Sequence, residues 1–364
     1  MPLLNQRWTL GRRPPAGMPT EGDFAFSELP ADEPGPDQLL TRTIYLSLDP
    51  YQWGRRRGGA EAVGEVCHGR TVSQVVASRS SEYAEGDYLF NTNGWQCYGL
   101  TGAGISTFNY MFPRKLDPTA APISTAVGAL GMLGLTAYAG CYLQCAPGAG
   151  ETVVVSAASG GVGQIAGQIA GILGCRVVGI AGAAAKCAFV TDVLGFNACV
   201  SHQSPTFSAD LRAACPDGVD VYFENVGGNV FTGVLPLLNQ RARITVCGLI
   251  SQYGSESGLN PREVWQAAGA AVFSARAVEV HNLAVGSYVP THQAQFLAQM
   301  TDWIRQGLVK YREDLWTGLA AAPEAFTAML TGGNFGKTLV QVGDDPTLTP
   351  ELQAKRQHGN ILTV

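Results

Sequence analysis

One segment constrains the fold more than any other: an apolar strand that runs into a turn of small residues and then a helix. It reads TVVVSAASGGVG, from Thr152 to Gly163. Small side chains let phosphates approach the backbone, and N–H groups at a helix N-terminus bind them. Against the pattern G-x-G-x-x-G, Ala158 replaces the first glycine, whereas Gly160 and Gly163 match. The segment predicts a dinucleotide-binding turn; the alternative is a tight turn without a ligand.

The sequences before and after this motif predict different patterns of secondary structure. After Glu151, apolar runs alternate with helical stretches, an order typical of a doubly wound parallel α/β sheet. Strands are predicted at 152–156, 176–181, 219–223, 242–247 and 277–280, and helices at 126–142, 163–173, 186–194 and from 293. Before residue 120, short β-type runs at 38–48, 70–76 and 87–91 predict a small, irregular β domain. A further β-like segment is predicted at 336–342.

Length and composition narrow the class of protein. A chain of 364 residues is too long for one compact core, so we expect two domains. The net charge of −5 and the absence of a basic run longer than 55–57 give a nucleic-acid partner little support. No segment predicts a membrane span, and the first residues lack a signal-peptide core, so we expect a cytoplasmic protein. Nine scattered cysteines are typical of small core residues in a reducing compartment.

The end of the second predicted strand bears on the choice of nicotinamide cofactor. NAD-binding folds place a carboxylate there, about 20 residues after the glycine motif, to bind the ribose 2′-hydroxyl. Here the sequence is VGIAGAAAK, from Val178 to Lys186, with no carboxylate and a terminal cation. A cation favours a 2′-phosphate, so the sequence predicts NADPH. The alternative for Lys186 is a solvated lysine in the first turn of a helix.

Several longer stretches together resemble one family. They are 5–8 (NQRW), 46–51 (LSLDPY), 134–138 (GLTAY), 148–153 (GAGETV), 156–163 (SAASGGVG), 175–182 (CRVVGIAG), 219–228 (VDVYFENVGG), 247–253 (CGLISQY) and 333–337 (GNFGK). The chain resembles the branch of zinc-independent medium-chain dehydrogenase/reductases that contains leukotriene B4 dehydrogenase, prostaglandin reductase, curcumin reductase and plant double-bond reductases.

The resemblance implies a fold and an activity. The fold is a GroES-like, mainly β catalytic domain combined with a Rossmann domain that binds NADPH, usually as a homodimer. We expect the catalytic domain at 1–128, the Rossmann domain at 129–295, a return to the catalytic domain at 296–345 and a polar tail at 346–364. The implied activity is NADPH-dependent reduction of the C=C bond of an α,β-unsaturated ketone or aldehyde, with hydride added to the β-carbon and the enolate protonated.

The resemblance also implies which residues bind NADPH. The turn at Gly160, Gly161, Val162 and Gly163 should bind the pyrophosphate, and Lys186 the 2′-phosphate. His202 stands beside the adenosine phosphate, where the family often has tyrosine. The remaining cofactor contacts are expected from Asn225, Cys247, Gly248, Ser251, Tyr253, Val278, Val280 and Asn334.

The reduction of an enone needs a donor for the developing enolate oxygen and a proton for the α-carbon. Tyrosine suits this role because it is neutral at pH 7 and donates a hydrogen bond. Tyr51 follows the Asp-Pro turn, and Tyr253 lies in the loop after a Rossmann strand. We expect Tyr253 to orient the cofactor ribose or the substrate carbonyl, and Tyr51 to polarise the carbonyl or relay the proton. Each could instead only pack.

The substrate side departs from the family pattern. After Asp-Pro-Tyr the family has Met-Arg-Gly-Arg, whereas this chain has QWGRRR, which makes Trp53 a candidate pocket residue. Glu279 and His281 alternate on the last predicted strand, so they share a face. They are candidates for acid/base chemistry, although the favoured interpretation is that both face water or a dimer contact. His68 is a further candidate at the pocket rim.

The sequence also bears on a zinc site and on two alternative functions. Related zinc enzymes need four closely spaced cysteines or a cysteine with a Gly-His-Glu segment, and this chain has neither, so we expect no metal. A quinone reductase of the same superfamily would share the cofactor site. A low-turnover NADPH-binding regulatory or partner protein is the third hypothesis. The expected partner of the enzyme is a small conjugated carbonyl compound.

Overall fold

The computed structural model describes residues 3–107 and 110–350, together with the backbone of Ile361 and Leu362. Its strands, in chain order, are β1 (Leu4–Leu10), β2 (Phe24–Pro30), β3 (Gln38–Ser47), β4 (Thr71–Ser78), β5 (Tyr88–Asn91), β6 (Tyr98–Gly102), β7 (Arg114–Leu116), β8 (Thr152–Ser156), β9 (Arg176–Ala181), β10 (Ala198–Ser201), β11 (Val219–Glu224), β12 (Leu238–Val246), β13 (Glu279–Asn282), β14 (Tyr311–Thr317), β15 (Lys337–Gln341) and β16 (Ile361–Leu362). The predicted polar tail at 346–364 lies mostly outside the described residues.

The helices connect these strands and differ widely in length. They are α1 (Tyr51–Arg57), α2 (Met132–Ala137), α3 (Gly163–Ile172), α4 (Ala184–Ala188), α5 (Phe207–Ala214), α6 (Gly228–Val234), α7 (Pro261–Arg276), α8 (Val289–Arg305) and α9 (Ala322–Leu330). A π-helical segment follows α2 at Tyr138–Cys145, and another follows α4 at Phe189–Val193. Within the described part of the chain, no helix is long and apolar enough to cross a membrane.

The chain divides into two compact units. Unit 1 contains residues 1–131 and 313–360, and unit 2 contains residues 132–312 with the C-terminal residues from 361. The chain therefore leaves unit 1 after Gly131 and returns to it at Glu313. Helix α8, predicted to begin the C-terminal return, lies in unit 2. The expected functional-domain limits of 1–128, 129–295 and 296–345 stay a prediction.

Unit 1 is built on a mainly antiparallel sheet. Its strands run in the order β14-β15-β3-β4-β5-β7, β6 pairs with β3, and β14 and β15 are the parallel pair. The hairpin β1–β2 pairs separately. One buried hydrophobic cluster of unit 1 contains Ile44, Val72, Ile123 and Leu339. The predicted irregular β domain is confirmed, and the 38–48 prediction differs from β3 by one residue.

Unit 2 contains the predicted doubly wound sheet. Its six strands are all parallel, in the order β10-β9-β8-β11-β12-β13. The order reverses at β8, and ligands of such sheets bind at the carboxyl ends of the strands near this point. Strands β8 and β9 have the predicted bounds. Their buried, valine-rich runs are typical of strands covered on both faces.

Several predicted boundaries were wrong for local reasons. The helix predicted at 126–142 begins only at Met132, because a Cβ at Gly131 would overlap the carbonyl oxygen of Ala126 in a turn that needs glycine. The strand predicted at 277–280 begins at Glu279, because Ala277 ends α7 in the left-handed region with φ 49°. It then continues past Val280 to Asn282, so the interpretation that the strand ends at Val280 was wrong.

Candidate active site

The predicted dinucleotide-binding turn follows β8 in unit 2. Ala157 adopts a left-handed conformation with φ 48°, and the chain enters α3 at Gly163. A Cβ at Gly160 would lie 3.1 Å from the carbonyl oxygen of Ala157, and a Cβ at Gly163 would overlap that oxygen. Glycine is therefore required at Gly163 and leaves a narrow backbone turn at the helix N-terminus. This geometry fits a pyrophosphate.

The end of β9 lies beside two of the predicted phosphate-binding residues. Residues 182–185 after β9 carry no carboxylate, and Lys186 follows in α4. A Cβ at Gly182 would lie 3.4 Å from Nε2 of the exposed His202 and 3.4 Å from Nε2 of Gln203. Partial desolvation, and then the charge of Lys186, lower the pKa of His202. A 2′-phosphate here would meet a cation and two nitrogen-bearing side chains; Gln203 was not among the predicted residues.

A buried carboxylate organises the end of β11. Glu224 is fully buried, and its Oε1 accepts hydrogen bonds from Tyr222 Oη at 2.9 Å, Val226 N at 2.7 Å and Gly227 N at 3.0 Å. Ser156 Oγ also donates to Oε1 at 3.1 Å, and Trp265 Nε1 donates to Oε2 at 3.0 Å. Burial raises the pKa of Glu224, although these donors oppose the shift. Sequence reasoning missed this residue, which follows the apolar run of β11 directly.

The loop after β12 is hydrogen-bonded to the backbone at the end of β11. Cys247 N donates to the carbonyl oxygen of Glu224 at 2.9 Å, and Ser251 N donates to that of Val226 at 3.1 Å. Asn225 Nδ2 donates to the carbonyl oxygen of Ser156 at 2.7 Å, which joins β11 to the start of the glycine turn. Burial, and then the neighbouring Cys247, raise the pKa of Tyr253. The structure therefore gathers Asn225 and the 247–253 loop at the carboxyl ends of β8, β11 and β12.

The predicted pair on β13 is close but weakly connected. Nε2 of His281 lies 3.9 Å from Oε2 of Glu279, and Glu279 is exposed. Val278 and Val280 instead pack against the buried cluster that contains Trp265 and Phe273. Because side chains alternate along a strand, Glu279 and His281 share the other face.

In unit 1, Tyr51 and His68 form a hydrogen-bonded pair. Tyr51 begins α1, and its Oη lies 2.9 Å from Nε2 of His68. Burial, followed by the charges of Arg70, Arg55 and Arg56, lowers the pKa of His68 to about 3. Burial also raises the pKa of Tyr51 above its usual value. Both groups are therefore neutral near pH 7, which leaves Tyr51 able to donate a proton.

An ion-pair cluster lies beside this pair. Oδ2 of the buried Asp49 is 2.9 Å from Nη2 of Arg70, and its Oδ1 is 3.2 Å from Nζ of Lys337. Burial opposes ionisation of Asp49, but the charges of Arg70 and Lys337 outweigh it and hold the pKa well below the usual range. The guanidinium carbon of Arg70 lies 5.5 Å from the centre of the Tyr51 ring. Asp49 and Lys337 fall within the family-like stretches 46–51 and 333–337; sequence reasoning did not assign them a role.

Two other predicted residues of unit 1, Trp53 and Asn334, make different contacts. Trp53 is fully buried, packs edge-on against Phe326 and donates its Nε1–H to the carbonyl oxygen of Gly17 at 2.9 Å. The structure does not bring Trp53 into the hydrogen-bonded group of Tyr51 and His68. Asn334 precedes β15 and donates through Nδ2 to the carbonyl oxygen of Gly336 at 2.9 Å.

Metal-ligating side chains do not cluster within residues 3–107 and 110–350. This part of the chain contains no group of three or more His, Cys, Asp or Glu side chains that could hold a metal ion. The nine cysteines are free thiols, and five of them are buried: Cys67, Cys141, Cys145, Cys175 and Cys215.

Comparison with known proteins identifies the family. Residues 6–106 match a family model described as the N-terminal domain of oxidoreductase, and residues 161–284 match one described as zinc-binding dehydrogenase. The NADPH-dependent curcumin reductase of Escherichia coli is 40% identical over 347 residues, which cover 94% of this chain and 98% of that protein. The chain belongs to the medium-chain dehydrogenase/reductases.

Further relatives place this medium-chain reductase in the predicted branch. The NADP(+)-dependent 2-alkenal reductase of Nicotiana tabacum is 34% identical, covering 90% of this chain and 94% of that protein. The crystal structure of CurA from Vibrio vulnificus in complex with NADPH superposes with a TM-score of 0.85 at 39% identity, covering 93% of this chain and all of that one. The family predicted from the residues is confirmed, and the protein is an oxidoreductase.

Proposed function

We propose that this oxidoreductase uses NADPH to reduce the C=C bond of an α,β-unsaturated ketone or aldehyde. The observation that carries the proposal is the neutral Tyr51–His68 pair, 2.9 Å between Oη and Nε2, in a member of this reductase family. Hydride addition to the β-carbon leaves a charged enolate that needs a hydrogen-bond donor and then a proton. A neutral tyrosine provides both functions.

NADPH is the cofactor of this enzyme, as it is for the curcumin reductase and CurA relatives. The residues of unit 2 fit it. The narrow turn at Gly160–Gly163 suits the pyrophosphate, and Lys186 with His202 suits the 2′-phosphate, because no carboxylate follows β9. When bound, NADPH supplies the hydride and its electron pair.

The residues of unit 1 handle the substrate oxygen and the proton. With its proton on Nε2, neutral His68 donates to the phenol oxygen of Tyr51, and the phenol proton is free to point at the substrate carbonyl. As the α-carbon is protonated, the O–H bond of Tyr51 breaks, a C–H bond forms, and a phenolate remains. Solvent then returns a proton to the phenolate oxygen, while His68 keeps its Nε2 proton and its hydrogen bond to that oxygen.

The residues of unit 2 position the cofactor. We assign Tyr253 to the orientation of the ribose or the substrate carbonyl, and Asn225, Cys247, Gly248 and Ser251 to cofactor contacts. The support is the set of backbone hydrogen bonds that fixes the 247–253 loop against β11. Val278, Val280 and Asn334 stay cofactor candidates from the resemblance, and Glu279 and His281 stay substrate candidates.

The test is a panel of acceptors with purified protein. Enals, enones, a dienone such as curcumin and simple quinones are mixed with NADPH or, in parallel, NADH, and loss of nicotinamide absorbance is followed. We expect oxidation of NADPH with enones or enals and a product that has gained two hydrogens by mass spectrometry. Turnover of quinones alone would replace the proposal with a quinone reductase. Tight NADPH binding without oxidation of any acceptor would favour a low-turnover binding protein.

The expected homodimer is a separate prediction. Light scattering of the purified protein tests it by measuring the mass of the particle in solution.

A further inference from the structure

Arg70 is a buried cation, and two of its three guanidinium nitrogens have no hydrogen-bond acceptor among the described residues. Its side chain is 4% exposed, and Nη2 pairs with Asp49 at 2.9 Å. Nε and Nη1 are buried and have no hydrogen-bond partner among the described residues. Burying guanidinium donors without partners is costly, so such an arrangement calls for a reason beyond the ion pair with Asp49.

An aromatic residue of the proposed reaction lies beside this charge. The Arg70 guanidinium lies 5.5 Å from the centre of the Tyr51 ring, at a distance where a cation and an aromatic ring attract each other. Tyr51 in turn contacts His68 at 2.9 Å. Arg70 therefore lies where its charge can act on both members of the pair.

Asp49 fixes the position of Arg70 without cancelling the local positive charge. The carboxylate is shared between Arg70 and Lys337, two cations for one anion. Lys337 Nζ also donates to the carbonyl oxygen of Leu48 at 2.6 Å, which holds the carboxylate from the β15 side. Asp49, which lies between β3 and α1, thus holds Arg70, and Lys337 of β15 holds Asp49.

Other charged or titratable groups around the Tyr51–His68 pair come from α1 and from the loops that contain Glu61 and Tyr110. From α1, Arg55 and Arg56 approach it, and Arg56 Nη2 donates to the His68 carbonyl oxygen at 3.2 Å. Glu61 accepts from Arg56 Nε and from His68 N, both at 3.1 Å. Tyr110, half-buried, is affected by the charges of Arg70 and Asp49. Arg56 is itself packed among the Phe24, Trp95 and Phe326 rings and paired with Glu61, whereas Arg70 lies over the Tyr51 ring.

We propose that Arg70, anchored by Asp49, is a positioning residue for proton donation. Its charge keeps His68 neutral before reduction and stabilises the Tyr51 phenolate after the proton has left. This inference rests on the proposed function of Tyr51. The proton balance is unchanged: Tyr51 loses its phenol proton to the α-carbon and recovers one from solvent, and Arg70 keeps all of its own protons.

A double-mutant cycle tests whether Arg70 acts through Tyr51. Tyr51→Phe, Arg70→Gln and the double variant are compared by kcat and by KM for NADPH. We expect Arg70→Gln to lower kcat roughly tenfold in the wild-type background but less than about twofold in the Tyr51→Phe background, with KM for NADPH unchanged. Arg70→Lys should recover most of the loss. Equal losses in both backgrounds would overturn the proposal.

A titration gives a second readout that does not depend on turnover. The imidazole signals of the five histidines are followed by NMR against pH, with His68→Gln to assign His68. We expect the His68 signal to stay constant from neutral pH down to pH about 5 in the wild type and to titrate at higher pH in Arg70→Gln. An unchanged titration in Arg70→Gln would overturn the proposal even if no acceptor were reduced.

Controls separate charge from folding. Arg42, on β3, donates to Gln74 at 3.2 Å and lies outside the proposed machinery, so Arg42→Gln should leave kcat and the His68 titration unchanged. Thermal unfolding of every variant identifies loss of fold. If Arg70→Gln does not fold, Arg70→Lys replaces it in the double-mutant cycle. Arg70→Lys keeps the positive charge, so its kcat should stay within a few-fold of the wild type. If the wild-type enzyme reduces enones but the effects of the Arg70 and Tyr51 substitutions are additive, the role of Arg70 is rejected and the proposed function stands. If the wild-type enzyme shows no turnover, the proposed function is rejected.

Discussion

The phenol oxygen of Tyr51 lies 2.9 Å from Nε2 of His68, and the two residues are held by different segments of unit 1. Tyr51 is on the first turn of α1, whereas His68 precedes β4 and is fixed through its own N–H and carbonyl by Glu61 and Arg56. A pair fixed at both ends can present one proton in one direction, which is what protonation of an enolate requires.

Tyr51→Phe removes the proton donor and keeps the ring. We expect kcat/KM for the best enone to fall roughly a hundredfold, because general acid catalysis typically contributes at least that factor. The affinity for NADPH, measured by fluorescence titration, should be unchanged. Tyr88→Phe is the matched control, since the Tyr88 hydroxyl accepts a hydrogen bond from Gln74 at 3.3 Å elsewhere in unit 1. Equal kcat/KM for Tyr51→Phe and wild type would remove Tyr51 from the mechanism.

His68 should make the stability of the protein depend on pH. Its pKa is lowered to about 3 in the folded state and is about 6.5 in the unfolded chain. Between these values the unfolded state binds more protons, so the free energy of unfolding falls as the pH decreases from about 6.5, by at most about 1.4 kcal/mol per pH unit.

Urea unfolding at several pH values checks this slope. The wild type and His68→Gln are compared between pH 7 and 5, with a substitution of the half-buried His292 on α8, His292→Gln, as the control. We expect a shallower loss of stability in His68→Gln and no change of slope in His292→Gln. Parallel curves for the wild type and His68→Gln would show that His68 is not held neutral by the fold.

The fold was predictable where the sequence pattern is local. Strand β8, Thr152–Ser156, is a five-residue apolar run between a Gly-rich turn and the glycine motif, and its predicted bounds are those of the structure. The β12 strand was predicted to start at 242 but begins at Leu238, because polar Asn239 and Gln240 interrupt the apolar pattern while the backbone still extends along β11.

The site was predictable only in part, since its electrostatics depend on residues distant in sequence. Glu224 contacts Ser156, which is 68 positions away, and Trp265, which is 41 positions away. Arg56 belongs to the short basic run 55–57, yet it is fully buried against rings from Phe24, Trp95 and Phe326. A run of three arginines gives no indication of which one is buried. Tyr51 and His68 were both candidates from the sequence, but their hydrogen bond follows from tertiary structure.

Glu224 should be important for stability and for the cofactor loop. Glu224→Ala leaves the buried donors of Tyr222, Trp265 and Gly227 without this acceptor, so we expect the free energy of unfolding to fall by roughly 3 kcal/mol. Glu224→Gln keeps an acceptor oxygen and should lose less. Denaturant unfolding measures the change, and NADPH titration should show weaker binding in the alanine variant. Glu263, an exposed carboxylate on α7, provides the control variant Glu263→Ala. A similar small loss of unfolding free energy in Glu224→Ala and Glu263→Ala would contradict the account.

Lys186 should determine the preference for NADPH over NADH. Lys186→Ala removes the cation that we assign to the 2′-phosphate, so we expect KM for NADPH to rise roughly tenfold, with little change for NADH, which lacks that phosphate. Lys115→Ala, a lysine of β7 in unit 1 that pairs with Asp87, should change neither value. Steady-state kinetics with both cofactors measure the ratio. Equal effects on the two cofactors would place the 2′-phosphate elsewhere.

The most direct test of the proposed reaction follows one labelled hydrogen. NADPH deuterated at the transferable position is mixed with the enzyme and an α,β-unsaturated ketone, and the product is analysed by mass spectrometry and NMR. We predict a saturated ketone with one deuterium on the β-carbon and a solvent-derived hydrogen on the α-carbon. Deuterium on the carbonyl carbon of an allylic alcohol, with the C=C bond intact, would contradict the account.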